Sequence, residues 1–231
     1  VVQVSPTGGR GQARTESLTR GSAGSAPTAP RPDCGNPGSG LTVGCGMRLL
    51  TISGSLRAAS SNTALLEAAA LLAPPGVEML RYAGLGTLPH FDPDREADAL
   101  PDAVADLRTL VGSANGMIIS SPEYAHGVPG SLKNALDWLV GSTELPGLPV
   151  ALVNASSRST FAYAQLTEIL RTMSAHLVRD ASITIPLDGA DRTPEAIAAD
   201  ARVASPLRGA IAALVRAIDA LPADHPCRRP R

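Results

Sequence analysis

Between Gly54 and Thr63 the chain reads Gly-Ser-Leu-Arg-Ala-Ala-Ser-Ser-Asn-Thr. Ser55, Ser60, Ser61, Asn62 and Thr63 supply hydroxyl and amide groups in quick succession, Arg57 supplies the one charge, and no carboxylate intervenes. Such a set suits a phosphate, which needs several donors and gains from a guanidinium. The Ala- and Leu-rich run that follows opens a helix, and its first N–H groups and positive dipole end add to the donors. Gly54 permits a sharp turn at the start. The same residues also read as an ordinary turn glycine followed by ordinary helix N-caps. The stretch is not a Walker loop, because G-x-x-x-x-G-K-S/T is absent. It is not a dinucleotide fingerprint either: Gly84 and Gly86 lack a third glycine and do not open a helix. No G-x-S-x-G supports a nucleophile elbow.

A second stretch, Ser120-Ser121-Pro122-Glu123-Tyr124-Ala125-His126-Gly127-Val128-Pro129-Gly130, is stiffened by two prolines. Tyr124 offers a flat face or a hydroxyl, and the backbone from Glu123 to Gly127 can approach a planar ligand closely. Other readings stand beside these. Glu123 equally caps or pairs with a neighbour, His126 on a loop is more often solvated than catalytic, and Trp138 suits packing or an interface better than a cofactor contact. Lys133 and Asp137 are i,i+4 neighbours in the weaker orientation for an ion pair. A third stretch, Asn154-Ala155-Ser156-Ser157-Arg158-Ser159-Thr160, presents hydroxyls to the polar edge of a heterocycle or, equally, to the N-terminus of the next helix.

The elements that must position these stretches alternate. Arg48–Ser53, Val77–Tyr82, Asn115–Ser120, Pro149–Asn154 and Leu177–Ile185 read as strands. Asn62–Ala73, Ala99–Val111 (Pro101 in its first turn), Gly130–Val140, Phe161–Ala175 and Pro194–Leu221 (with a break expected at Pro206) read as helices. Residues 83–96 read as a turn-rich loop. Five strands alternating with helices predict a three-layer α/β fold with a parallel sheet covered on both faces. The preferred order is 2-1-3-4-5, the flavodoxin-like order. In such sheets ligands sit beyond the carboxyl ends of the strands at the switch point between strands 1 and 3. The three stretches above are the loops that follow strands 1, 3 and 4.

Of 231 residues, 44% are hydrophobic and 18% charged, enough to build a core. Aromatics at 3% and a net charge of −1 disfavour a nucleic-acid surface. No apolar run is long enough for a transmembrane helix, so no membrane partner is expected. Cys34, Cys45 and Cys227 form no C-x-x-C and no zinc spacing. Neither a disulfide scaffold nor a metal site is expected, and a reducing, cytoplasmic compartment fits. Residues 1–46 hold 10 of the 22 glycines and 5 of the 20 prolines and carry a charge of +2. They are expected to be disordered, without the apolar core of a secretory signal. Their Arg- and Ser-containing, acid-poor composition is faintly that of an organelle transit peptide; the plainer reading makes Met47 the native start. The expected organisation is a disordered extension over 1–46, one domain over 47–221 and a frayed tail over 222–231.

Gly54-Ser55-Leu56-Arg57-x-x-Ser60-x-Asn62, then Pro122-Glu123-Tyr124 followed by Pro129-Gly130-x-Leu132-Lys133-Asn134-Ala135-Leu136-Asp137-Trp138, resembles the NADPH-dependent FMN reductase family. The likeness covers Met47 to Leu187. It implies a flavodoxin-like fold, an FMN phosphate held by Ser55, Arg57, Ser60 and Asn62, and an isoalloxazine bordered by Pro122, Glu123, Tyr124 and the backbone of Ala125. The loop after strand 4, at Ser156, borders the ring as well. Hydride passes from NADPH or NADH through bound FMN to a small acceptor such as a quinone, flavin or azo compound. The cofactor carries that chemistry, so no side chain is named as catalytic. The resemblance also implies a homodimer or homotetramer, and the Pro129–Trp138 helix has an apolar face to offer. Two departures stand out. Ala125 replaces the asparagine common after Pro-Glu-Tyr, and Ser156-Ser157-Arg158 replaces a glycine-rich loop. A one-electron flavodoxin-type carrier is disfavoured by the missing acidic surface and Thr-rich phosphate loop. A non-enzymatic interaction protein on the same fold remains the other alternative.

Overall fold

The first strand to form the sheet, β1 (Met47–Ser53), lies between β2 (Val77–Tyr82) and β3 (Gly116–Ser120), and β3 is followed by β4 (Pro149–Asn154). All strand pairings are parallel, and the order β2-β1-β3-β4-β5, with β5 at His176–Leu177, is the expected one. The structure, a computed structural model, describes residues 46–187 and 193–228. The expected disordered extension, apart from Gly46, therefore lies outside the described residues.

Alternation in the strands sorts the core into two layers. Leu49, Ile118, Ala151 and Val153 point to one face, where they meet α1 (Ser61–Leu71), α6 (Pro194–Ala199) and α7 (Ala201–Asp219). Leu50, Ile52, Met117, Ile119, Val150 and Leu152 point to the other, against α3 (Asp102–Ser113), α4 (Gly130–Val140) and α5 (Thr160–Thr172). The central strands β3 and β4 are buried along their whole length, as a strand covered on both faces must be. Both faces being closed, the loops at the strand ends are where this sheet meets a ligand.

Four expectations need correction. The helix expected over Ala99–Val111 is α3 (Asp102–Ser113), with Pro101 as its N-cap rather than in its first turn, and a further helix, α2 (Pro93–Asp98), precedes it. Asp92 starts α2 inside the expected loop by accepting from Asp94 N at 3.0 Å. The fifth strand is not continuous. It runs as β5 (His176–Leu177), a 3-10 turn over Arg179–Ala181, and β6 (Ile183–Thr184), both short strands pairing with β4. The last helix breaks at Asp200, not at Pro206: Asp200 is extended, ends α6, and caps α7 by accepting from Arg202 N at 2.9 Å. Pro206 sits inside α7, where its missing N–H removes a single intrahelical bond. Finally, order continues past Pro222. Cys227 is 5% exposed within the core and its carbonyl accepts from Asn115 Nδ2 at 2.6 Å, which pins the tail beneath β3.

The Leu132–Trp138 stretch also proves structural. Asn134 and Trp138 both donate to Pro89 O, at 2.9 and 2.8 Å, and Asn134 Oδ1 accepts from Phe91 N at 2.8 Å. Phe91 meets Trp138 edge-on at 5.1 Å. Trp138 has no exposed surface, and Leu132, Ala135, Leu136 and Leu139 face the chain's own core, so the apolar side of α4 is already covered. Lys133 and Asp137 do pair, on the exposed side.

Candidate functional site

Three loops converge where the sequence places them. Arg57 and Asn62 from the loop after β1, Pro122, Glu123 and His126 from the loop after β3, and Ser156 and Arg158 from the loop after β4 line one cleft of about 530 Å³. That volume falls in the range of small-molecule and cofactor sites, roughly 300–1,000 Å³. Ser55 and Ser60 line the other flank of the first loop, in an adjoining hollow of about 670 Å³ that Arg57 also borders. Tyr124 and Ala125 line neither; they form the exposed tip of the second loop.

The first loop is built from short-range bonds. Ser60 caps α1 by accepting from Thr63 N at 3.3 Å, and Ser53 and Thr63 share a hydroxyl bond of 2.8 Å between the end of β1 and the first turn of α1. Ser55 Oγ accepts from Arg57 N at 3.3 Å. Asn62 Oδ1 accepts from Ser120 Oγ at 2.9 Å, which ties α1 to the end of β3 and leaves the Asn62 amide group bordering the cleft. Gly54 is required by space rather than by φ. A Cβ there would come within 2.7 Å of Ser121 Oγ and 3.0 Å of Leu132 Cδ2, because Gly54 N donates to Ser120 O at 2.8 Å. The Arg57 side chain is exposed and makes no ion pair among the described residues.

The second loop is held from outside itself. Tyr124 and Gly127 exchange backbone bonds of 3.1 and 2.9 Å around Ala125 and His126, whose φ values of 49° and 58° are both left-handed. Two successive left-handed residues make the turn type that favours Asn and Gly. Ala125 adopts it without either advantage, which accounts physically for the asparagine that the resemblance leads one to expect there. The turn is strapped down by α5. Glu123 Oε2 accepts from Ala162 N at 2.9 Å, Gln165 Nε2 donates to His126 O at 3.1 Å, and Gln165 Oε1 accepts from Val128 N at 3.3 Å. His126 stacks on Phe161 with ring centres 4.4 Å apart. Ser159, the N-cap of α5, makes no side-chain cap bond. The Glu123 carboxylate does that work from another loop, where the helix dipole favours it.

The third loop closes on Asn154. Its Oδ1 accepts from Ser156 N at 3.1 Å, and its Nδ2 donates to Ser159 O at 3.3 Å. The outcome is that Arg158, exposed and without an ion pair among the described residues, borders the same cleft as Arg57. Sequence reasoning treated Ser156-Ser157-Arg158 as a departure; a second cation at the end of β4 was the signal it carried. It missed Phe161 and Gln165 altogether, since their partners lie across the fold. Among the described residues Glu123 is the one carboxylate lining the cleft, and one of its oxygens is turned to α5. The cleft is therefore a cationic, hydroxyl-rich site beside a helix N-terminus, chemistry that fits a phosphate ester. At the end of β2, behind the first loop, burial and then the Asp106 charge push the Tyr82 hydroxyl up to about 12, so it stays protonated.

Comparison with known proteins shows the family and the fold. Residues 47–189 match the family model described as NADPH-dependent FMN reductase. An NAD(P)H-dependent FMN reductase of Pseudomonas aeruginosa is 37% identical over 113 residues, 48% of this chain and 60% of that protein. A quinone reductase of Escherichia coli is 32% identical over 136 residues, 57% of this chain and 71% of that one. Among solved structures, FerB, a flavoenzyme NAD(P)H:(acceptor) oxidoreductase from Paracoccus denitrificans, superposes with a TM-score of 0.60 at 27% identity, covering 75% of this chain and 97% of its own.

Proposed function

The chain belongs to the NADPH-dependent FMN reductase family, and from that premise we propose that it is an NAD(P)H-dependent FMN oxidoreductase acting on a small acceptor. The observation that carries this reading is the pair of arginines, Arg57 and Arg158, without ion pairs among the described residues and facing one cleft with the hydroxyl-rich start of α1. The family cofactor is FMN, and the donor set fits its phosphate. Arg57, Ser55, Ser60, Asn62 and the N-terminus of α1 hold the phosphate through charge-assisted bonds. Pro122, Glu123 and Ser156, which line the cleft, border the ring, with Tyr124 and Ala125 on the exposed tip of the same second loop.

Bound FMN supplies the two-electron chemistry of accepting hydride from a reduced nicotinamide and passing it on. What the chain contributes is position. The strapped turn at Tyr124–Gly127 presents a rigid backbone edge, and the Asn154-centred third loop presents its hydroxyls from the other side. Closely aligned reactants lower the barrier by removing the need to orient them in solution. No side chain is given a proton-transfer role.

The acceptor proposed is a quinone or a similar small oxidant, on the strength of the relatives named quinone reductase. A reduced-nicotinamide donor suits the cytoplasm. Among the described residues no helix is long and apolar enough to cross a membrane. The proposed assembly is a homodimer or homotetramer. Leu56 and Tyr124 on the loops and Phe161 in the first turn of α5, 62%, 50% and 52% exposed at this end of the sheet, support it as apolar surface for a second copy to cover.

The test is reconstitution. Apoprotein incubated with FMN and desalted should retain the yellow flavin, then oxidise NADPH or NADH with a quinone and without any protein partner. Retention of no flavin together with no nicotinamide oxidation contradicts the reading. Turnover only with a separate reductase would instead favour a one-electron carrier.

A further inference from the structure

The break in the fifth strand opens a second cavity, which shares no lining residue with the three-loop cleft. Where the chain leaves the sheet for the 3-10 turn at Arg179–Ala181, β4 has no strand backbone opposite Leu152. Ser182 Oγ takes over, accepting from Leu152 N at 3.1 Å while donating to Val178 O at 2.9 Å. Between β4, α5 and that turn lies a space of about 230 Å³.

Its walls divide by chemistry. Leu152 and Leu177 form an apolar part. Thr167 and Tyr163 line it from α5; the Thr167 hydroxyl is already bonded to Tyr163 O at 2.8 Å, whereas the Tyr163 hydroxyl makes no hydrogen bond among the described residues. Arg171 from α5 and Arg179 from the 3-10 turn supply two cations, and among the described residues no carboxylate lines the space. Glu168 and Asp180 are near these arginines in sequence, yet neither arginine makes an ion pair among the described residues.

Two guanidinium groups without carboxylate partners call for an anion, and each can hold a carboxylate with paired bonds. The leucines call for an apolar body attached to it. The volume lies below the roughly 300 Å³ at which drug-sized pockets begin, so the ligand is compact. We propose that this cavity at the sheet edge binds a small carboxylate on an aromatic or branched apolar body, held by Arg171 and Arg179 with Tyr163 as a hydrogen-bond donor. The site stands apart from the proposed flavin cleft and needs no flavin to form.

Benzoate is a suitable probe, titrated calorimetrically into the full chain without flavin and again after FMN is added. Saturable binding is expected in both. Arg171→Ala and Arg179→Ala should each weaken it by about tenfold or more, and the double variant should abolish it. Both side chains are exposed, so neither substitution threatens the fold. Arg57→Ala should leave benzoate affinity unchanged, and inorganic phosphate should bind more weakly than benzoate. The proposal is overturned by any of four results: no saturable binding, full binding in the double variant, loss of binding in Arg57→Ala, or phosphate binding as tightly as benzoate. Because the first titration is flavin-free, its result is independent of whether FMN binds in the other cleft.

Discussion

The loop after β1 and the loop after β3 border the same cleft but are held by opposite means. The first is fixed by its own neighbours: Ser60 caps Thr63, Ser53 meets Thr63, and Ser55 accepts from Arg57. The second contains two left-handed residues in succession and is pinned by α5 through Glu123, Gln165 and the His126–Phe161 stack. A loop of local bonds keeps its donors wherever the strand and helix around it form. A loop held from a distant helix moves if that helix moves. The first loop thus suits a permanent anchor for a charged group, and the second suits an edge whose position can be tuned.

The largest expected effect is at the seam between the two loops. Gly54→Val puts branched carbon where Ser121 Oγ is 2.7 Å from even a single Cβ, so it should destabilise the protein by about 1–3 kcal/mol. Urea unfolding measures this, and an unchanged midpoint would show that the loops are not packed this closely. Next comes Glu123→Ala, which leaves Ala162 N without its acceptor at the start of α5. A lost cap costs about 0.5–2 kcal/mol. Amide hydrogen exchange should accelerate in the first turn of α5 and in residues 124–127 while α1 stays protected. Equal acceleration in α1 would erase the distinction between the loops.

A smaller change should have the opposite sign. Ala125→Gly relieves a left-handed φ of 49° but adds backbone entropy to the unfolded chain, for a net gain of about 0.5 kcal/mol. A loss of stability on thermal unfolding would show that the turn does not carry the strain its angles imply. The smallest effect at neutral pH belongs to Tyr82, behind the first loop. Its pKa in the folded protein, about 12, lies above the ordinary tyrosine value of 10.0. Its contribution to stability is therefore fully present below pH 10 and is lost as the pH rises towards 12. An absorbance titration should show one tyrosine ionising near pH 12, and Tyr82→Phe should remove that step.

The same contrast explains what the sequence revealed. The build of the first loop was legible because its bonds span a few residues: hydroxyls, guanidinium and N-cap lie together in the chain. The sheet order was legible from strands alternating with helices along the chain, which right-handed crossovers limit to a few arrangements. Glu123 was ambiguous because its partner, Ala162, is 39 residues away. The fifth strand read as continuous from Leu177 to Ile185, but Arg179 and Asp180 leave the sheet and Ser182 substitutes a side chain for the missing strand bond. The break in the last helix is expected at Pro206, yet Asp200 is the better breaker because it ends one helix and caps the next. Both corrections concern a side-chain oxygen competing with the backbone ladder, which hydrophobic periodicity does not register.

The central claim is that the loop after β1 anchors FMN by its phosphate. Equilibrium titration of apoprotein and of Arg57→Ala, each with FMN and with riboflavin, tests it most directly. A charge-assisted bond of about 1.5–3 kcal/mol predicts that the substitution weakens FMN by roughly 10- to 150-fold and leaves riboflavin, which lacks the phosphate, nearly unchanged. Equal weakening of both flavins, or of neither, would contradict the claim.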